Sequence, residues 1–249
     1  MKKLIIANWK MNPTSLEQAK TLFDSIKQKI GDLQNTEIII CPPFIYLHEI
    51  YDIRCRTSKI KLGSQDCFWE QIGAFTGEIS PKMLKSLGCE YVILGHSERR
   101  QCLNETDEMI NKKLKAALRI GLKPILCIGD KNRASKKDDK DIQSQLEKGI
   151  LGLKESDLEK IIIVYEPIWA ISSKNGKAAT LGESKQGLLF LKQHFENNFK
   201  TMPKILYGGS VDSGNISAFL GAEAIDGVLV GGAGLIYEEF SAMVDTLKS

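Results

Sequence analysis

Short apolar runs rich in β-branched residues alternate along this chain with stretches whose apolar positions recur every three or four residues. The runs fall at residues 3–8, 37–41, 59–64, 91–94, 123–128, 161–166, 204–208 and 227–230. They lack the strict in–out alternation of a sheet with one wet face, so they are predicted to be strands buried on both sides. Between them, Leu16, Ala19, Leu22, Phe23, Ile26 and Ile30 share one helical face, opened by the capping-box pair Ser15 and Gln18. Ile110, Leu114, Ala117 and Leu118 share another within 106–120, closed by Gly121. Further helices are predicted from about Ile45, from Pro81 behind a Ser80 cap, over 183–198 and over 238–247. Residues 130–140 are dense in charge and read as a solvated loop and helix start. Strand, loop and helix thus recur eight times, roughly every 30 residues, with no compositional break to mark a linker. Eight parallel strands that each return through a helix close into a (β/α)8 barrel, of α/β class, expected as a single domain over residues 1–249. A doubly wound open sheet is the competing arrangement, but no GxGxxG follows the first strand and no Walker lysine is present.

One stretch departs from plain patterning. Residues 161–180 read IIIVYEPIWAISSKNGKAAT. Pro167 has no N–H for a strand ladder, so the strand is expected to stop there and leave the Glu166 carboxylate at its C-terminal rim. Ile168, Trp169, Ala170 and Ile171 form an apolar hinge before a polar tip at 172–176. A rim carboxylate beside such a loop suits a general base that must be covered during reaction. A solvated strand cap followed by an ordinary loop is the plainer alternative.

Composition narrows the class. At 249 residues with 43% hydrophobic content, the chain can fill a continuous core. A net charge of +3 is too weak to argue for a nucleic-acid partner or an anionic membrane. The apolar run at 4–7 falls short of a signal-peptide core, and no stretch approaches the length of a membrane span. Cys41, Cys55, Cys67, Cys89, Cys102 and Cys127 contain no CxxC pair and read as reduced thiols. A soluble cytoplasmic protein is expected. At the C-terminal strand ends, which share one mouth in a barrel, stand Asn8, Lys10, His96, Glu98, Glu166, Ser210, Gly231 and Gly232. Glycine-rich turns after strands seven and eight suit a phosphate held on backbone N–H groups. Singly they read as tight turns, and His48 and His194 are ordinary helix-surface histidines. The loop at 65–78 is too long for a minimal strand–helix connection and therefore has a task of its own.

Six segments in order, ANWKMN at 7–12, GAFTGEIS at 73–80, GHSERR at 95–100, YEPIWAI at 165–171, YGGSV at 207–211 and LVGGAGL at 229–235, carry a whole-chain resemblance to the triosephosphate isomerases. The resemblance implies a TIM barrel that isomerises triose phosphates without metal or cofactor. It implies Glu166 as base, His96 as electrophile, and Lys10 and Asn8 as substrate-binding groups with Glu98 beside them. Ser172, Ser210, Gly231 and Gly232 would cradle the phosphate. Pro167, Ile168 and Trp169 with Lys177, Ala178 and Ala179 would hinge a lid that Tyr207 latches. Thr76 would enter a neighbouring subunit near its active site, which implies a homodimer. No nucleic acid or membrane partner is implied.

The chain also departs from the family pattern. Five residues, SSKNG, separate Ile171 from Lys177 where the family has three, and Ser172 replaces a glycine. Gly234 stands where serine is common. The fifth strand ends CIGD rather than CIGE, so the shorter Asp130 is expected to reach the Trp169 hinge less well. Two other functions compete: a barrel aldolase forming a Schiff base on Lys10, and a sugar-phosphate-binding protein whose altered lid has lost turnover.

Overall fold

The computed structural model describes residues 2–30, 33, 35–54, 60–130, 136–170, 178–223 and 225–247. In chain order the elements are β1 (Lys3–Asn8), α1 (Leu16–Ile30), β2 (Thr36–Cys41), α2 (Leu47–Arg54), β3 (Ile60–Ser64), α3 (Pro81–Ser86) and β4 (Tyr91–Leu94). They continue with α4 (Ser97–Cys102), α5 (Asp107–Arg119), β5 (Lys123–Ile128), α6 (Lys136–Ile150), α7 (Glu155–Leu158) and β6 (Ile162–Tyr165). The last are α8 (Leu181–Asn198), β7 (Lys204–Tyr207), α9 (Ile216–Leu220), β8 (Gly227–Val230) and α10 (Tyr237–Thr246). The strands pair in parallel in sequence order, and β8 returns to β1 to close the barrel.

Each strand feeds two cores, which is why the runs are apolar throughout. Leu4 and Ile6 point into the barrel with Ile39, Ile93, Val164 and Leu206, whereas Ile5 and Ala7 face the helix layer with Phe23, Phe195 and Phe240. Full burial of one such side chain is worth about 1.5–3 kcal/mol. Closure depends on Gly227: a Cβ there would meet the Leu4 carbonyl oxygen at 2.1 Å.

Element ends follow local chemistry. Ser80 accepts from Met83 N at 3.2 Å with Pro81 in the first turn of α3, and Thr106 accepts from Met109 N at 3.3 Å to open α5. Two helix starts differ from the sequence expectation by two residues. A 3₁₀ turn, Phe44–Tyr46, precedes α2, which begins at Leu47. Helix α8 begins at Leu181, two residues early, because Thr180 and Glu183 form a reciprocal capping box that carries Gly182 into the first turn. The short helix α7 is an addition to the eightfold pattern, and α9 supplies the return from β7 to β8 that the pattern requires. Cys41, Cys67, Cys89, Cys102 and Cys127 are free thiols, and Cys55 lies outside the described residues. Among the described residues no helix is long and apolar enough to cross a membrane.

Candidate active site

The site is built from residues just beyond the strand ends. After β1 the chain turns at Lys10, whose φ of 53° is unusual for a residue with a side chain. Two side chains hold it there: Asn8 Oδ1 accepts from Lys10 N at 3.0 Å, and Gln65 Nε2 donates to Lys10 O at 2.8 Å and to Cys41 O at 2.9 Å. A left-handed conformation of this kind costs about 1–3 kcal/mol and persists only when its surroundings fix it. The Lys10 ammonium pairs with Glu98 Oε1 at 2.6 Å.

After β4, Gly95 turns at φ 69° and delivers His96 to the N-cap of α4. His96 Nδ1 accepts from Glu98 N at 3.2 Å, while Glu98 Oε2, at 3.6 Å, is too far from that nitrogen to bond. An accepting Nδ1 leaves the ring proton on Nε2, the tautomer of a neutral imidazole that can donate. Nε2 lies 3.1 Å from Glu166 Oε1, without the alignment of a hydrogen bond.

Glu166 follows β6 and is 1% exposed. Its Oε2 accepts from Ser97 N at 2.9 Å, at the first turn of α4. Two glycines make room for it. A Cβ at Gly129 would meet Glu166 O at 1.9 Å, and one at Gly208 would meet Glu166 Cγ at 3.1 Å. Burial, with Glu166 adding, pushes the neighbouring Cys127 thiol far up and keeps it protonated.

The hinge begins with a 3₁₀ turn, Ile168–Ala170. Here the sequence expectation for Asp130 is corrected: Trp169 Nε1 donates to Asp130 Oδ2 at 2.9 Å. The shorter side chain suffices because the two backbones already touch, Ile168 N donating to Asp130 O at 3.0 Å. Ser210 Oγ donates to Ala170 O at 2.8 Å and ties the hinge to the turn after β7. Residues Ser172 and Lys177 lie outside the described residues. Tyr207 is fully buried, stacked on Phe219 with centroids 4.0 Å apart, and its hydroxyl makes no aligned hydrogen bond although Ser184 is close. Burial pushes that phenol up to about 12.

Lys10, His96, Ala178, Ser210, Gly231 and Gly232 all line one cavity of about 220 Å³. A second cavity, about 340 Å³, opens on the other side of Lys10 and His96 and is lined by Asn8, Gln65, Glu98, Met11 and Leu103. Glu166 is not among the residues that line either cavity and rests against His96 and Ser97. Pro167, Ile168 and Ala179 are buried beneath the rim. Thr76 stands apart, exposed on the long loop after β3 and lining neither cavity. Among the described residues no group of three or more His, Cys, Asp or Glu side chains is arranged to hold a metal ion.

Behind the second cavity lies a buried ionic cluster. Lys113 Nζ donates to Asp66 Oδ1 and Oδ2 at 2.9 and 2.8 Å and also pairs with Glu105. Arg99 Nη2 meets Asp66 Oδ2 at 2.7 Å. Burial pushes the Asp66 carboxyl up to about 6, with Lys113 and Arg99 opposing and Glu105 reinforcing the shift.

The profile of the family described as triosephosphate isomerase matches residues 3–247. The chain belongs to the triosephosphate isomerase family. It is 46% identical over 248 residues to the triosephosphate isomerase of Dehalococcoides mccartyi, covering 96% of this chain and 94% of that one. It is 43% identical over 243 residues to that of Dictyoglomus thermophilum, covering 96% and 97%. The crystal structure of triosephosphate isomerase from Bartonella henselae superposes with a TM-score of 0.85 at 32% identity, covering all of both chains.

Sequence reasoning did not single out Gln65, Gly129 or Gly208, although each shapes this site. The two glycines carried a usable signal, since each stands directly beyond a strand end where a neighbouring chain must pass closely. Gln65 carried none, because its partner Lys10 is 55 residues away.

Proposed function

We propose that this chain interconverts dihydroxyacetone phosphate and D-glyceraldehyde 3-phosphate by proton transfer through an enediolate, a step of glycolysis and gluconeogenesis. The observation that carries the reading is the approach of the Glu166 carboxylate to His96 Nε2 at 3.1 Å, beside a cavity lined by Lys10 and two glycine-rich turns. The C–H next to the substrate carbonyl is weakly acidic. Glu166 takes that proton and returns it to the neighbouring carbon, while the His96 N–H and the Lys10 ammonium stabilise the negative oxygen of the enediolate. Asn8 holds Lys10 in place and Glu98 balances its charge. Ser210, Gly231 and Gly232 present backbone N–H groups to the phosphate, with Ser172 joining when the lid closes. The carboxylate now rests on Ser97 N and must swing into the cavity to reach carbon. Electrons are redistributed within one substrate, so the step calls for no redox cofactor.

Closure about Pro167–Trp169 and 177–179 dries the site and shields the enediolate from loss of phosphate. The buried, unaligned Tyr207 hydroxyl is suited to latch the closed form. The long loop bearing Thr76 fits a homodimer in which Thr76 of one copy enters the 340 Å³ cavity of the other, whose rim carries the largely exposed Met11 and Leu103. The cytoplasm is the expected compartment.

A coupled isomerase assay at micromolar enzyme tests the function in both directions. Turnover that saturates with either triose phosphate is the expected result. Tight binding of phosphate compounds without turnover would overturn it in favour of a binding protein, and borohydride trapping of substrate on Lys10 would favour an aldolase.

A further inference from the structure

The turn after β7, residues 208–212, borders the cavity along most of its length, and its first two residues are glycines. Glycine suits the close packing here, since a Cβ at Gly209 would meet the Tyr207 hydroxyl at 2.0 Å. It also leaves the turn with more freedom to lose than any other residue would. Such a turn can present N–H groups to an anion at fixed positions only if something outside it holds it.

Its first end is held by the sheet, Gly208 N donating to Tyr165 O at 2.8 Å. Its far end is held by Asn215. Asn215 Nδ2 donates to Ser210 O at 3.0 Å, and Asn215 Oδ1 accepts from Asp212 N at 3.1 Å. One planar amide therefore clamps the carbonyl before Val211 and the N–H after it. Because the peptide unit is planar and trans, fixing Ser210 O also fixes the plane of the 210–211 peptide and the path of Ser210 past the cavity.

Asn215 stands at the N-cap of α9, where an asparagine ordinarily turns its oxygen to the exposed N–H groups of the helix. Here its side chain makes no capping bond. Asp212 Oδ1 accepts from Gly214 N at 3.0 Å and Asn215 N at 3.1 Å, and Glu239 at the start of α10 accepts from Ser213 N at 3.2 Å, which holds the chain that leads into α9. The amide is thus turned back toward the cavity side.

We propose that Asn215 is a positioning residue for phosphate: it clamps Ser210 and Asp212 so that the 208–212 turn presents a preformed anion cradle. The inference rests on the triose-phosphate reading of the cavity, and it adds the group that sets phosphate affinity from outside the cavity.

Three variants separate the clamp from the general effect of altering the residue before α9. Asn215→Ala removes the clamp and leaves no polar side chain at the N-cap. Asn215→Ser offers a hydroxyl that can cap α9 but is too short to bridge Ser210 and Asp212. Asn215→Asp keeps the acceptor for Asp212 N but sets a carboxylate oxygen against Ser210 O. Phosphate affinity is read by calorimetry with inorganic phosphate, alongside turnover of D-glyceraldehyde 3-phosphate and of D-glyceraldehyde, which lacks the phosphate. All three variants should bind phosphate about tenfold or more weakly and show a raised KM for the triose phosphate. Their kcat/KM for D-glyceraldehyde should stay within about twofold of the unaltered chain, and Asn215→Ser should keep its Tm. Unchanged phosphate affinity in Asn215→Ser, or equal losses with both substrates, would overturn the proposal. Absence of turnover in the unaltered chain would count against the isomerase reading instead, while calorimetry would still decide the role of Asn215.

Discussion

Glu166 Oε1 and His96 Nε2 face each other at 3.1 Å although their residues are 70 positions apart, and both are anchored to the same turn of α4. Ser97 N holds the other oxygen of Glu166, and Glu98 N holds the other nitrogen of His96. The first turn of one six-residue helix therefore orients both side chains at once. The proposed base and electrophile are thus set in a common frame, so small changes in reach should register strongly in rate.

Glu166→Asp tests that geometry. The carboxylate is kept but withdrawn by one methylene, out of near-attack distance. A loss on the order of 10²-fold or more in kcat is expected, with little change in KM. Turnover like that of the unaltered chain would show that some other group takes the proton.

Asp66 gives a pH prediction. Two cations are shared with Glu105 in a buried cluster, and burial outweighs them, pushing the Asp66 carboxyl up to about 6. The folded state then holds this proton more tightly than the unfolded chain, where the group titrates near about 3.9. The resulting stabilisation is fully present below the unfolded value and is lost as pH rises through the folded one. Asp66→Asn removes this dependence. Urea unfolding at fixed protein concentration should show the stability of Asp66→Asn, relative to the unaltered chain, rising from pH 4.5 to pH 7.5. A relative stability that falls over that range would mean that the ion pairs, not burial, control the carboxyl.

The loop after β3 bears on the proposed dimer. Phe68 packs on Trp69 and Phe75 with ring centroids 4.0 and 4.7 Å apart, and Lys112 Nζ sits 5.4 Å from the Trp69 ring centroid. The loop is therefore shaped within its own subunit before any partner arrives, which lowers the ordering cost of docking. Shortening it between Cys67 and Thr76 should yield a soluble monomer with much reduced kcat. A monomer by sedimentation that retained high kcat would remove Thr76 from any role in the neighbouring site.

The barrel was legible because its punctuation is local. Pro42 ends β2, Pro167 seals β6, and Gly121 separates α5 from β5, so strand order and class follow without tertiary knowledge. The charged and imidazole side chains of the site were legible because each stands at a strand end, where the fold brings distant stretches to one mouth. The groups that orient them were not. Gln65 acts on Lys10, and Asn215 turns away from the helix that its own position would lead it to cap. Such roles depend on which backbone atom lies opposite, and no periodicity encodes that. Asp130 shows the same limit in reverse: side-chain length alone pointed to a weaker hinge contact, and adjacent backbones supplied the missing reach.

The hinge contact yields the last prediction. Trp169 Nε1 is held by Asp130 Oδ2 at 2.9 Å, and the same short turn is held through Ala170 O by Ser210 Oγ at 2.8 Å. The 3₁₀ turn Ile168–Ala170, the end of the fifth strand and the turn after β7 are thus tied within three residues. Removing the carboxylate leaves a half-buried indole N–H without its acceptor, a loss of about 1–3 kcal/mol in whichever lid state keeps the bond. If closure tightens the bond, Asp130→Ala shifts the lid toward the open form. The site is then wetter and the enediolate is held less well. A fall in kcat of about tenfold is expected, since about 1.4 kcal/mol corresponds to that factor. The fraction of substrate lost as methylglyoxal should rise with it. Asp130→Glu restores an acceptor one methylene longer and should stay within about twofold of the unaltered chain on both measures. A coupled assay run alongside methylglyoxal determination reads both quantities on the same samples. If Asp130→Ala raised kcat and left the by-product fraction unchanged, the bond would be a brake on the open lid, and the hinge would have to be described as closing by breaking it.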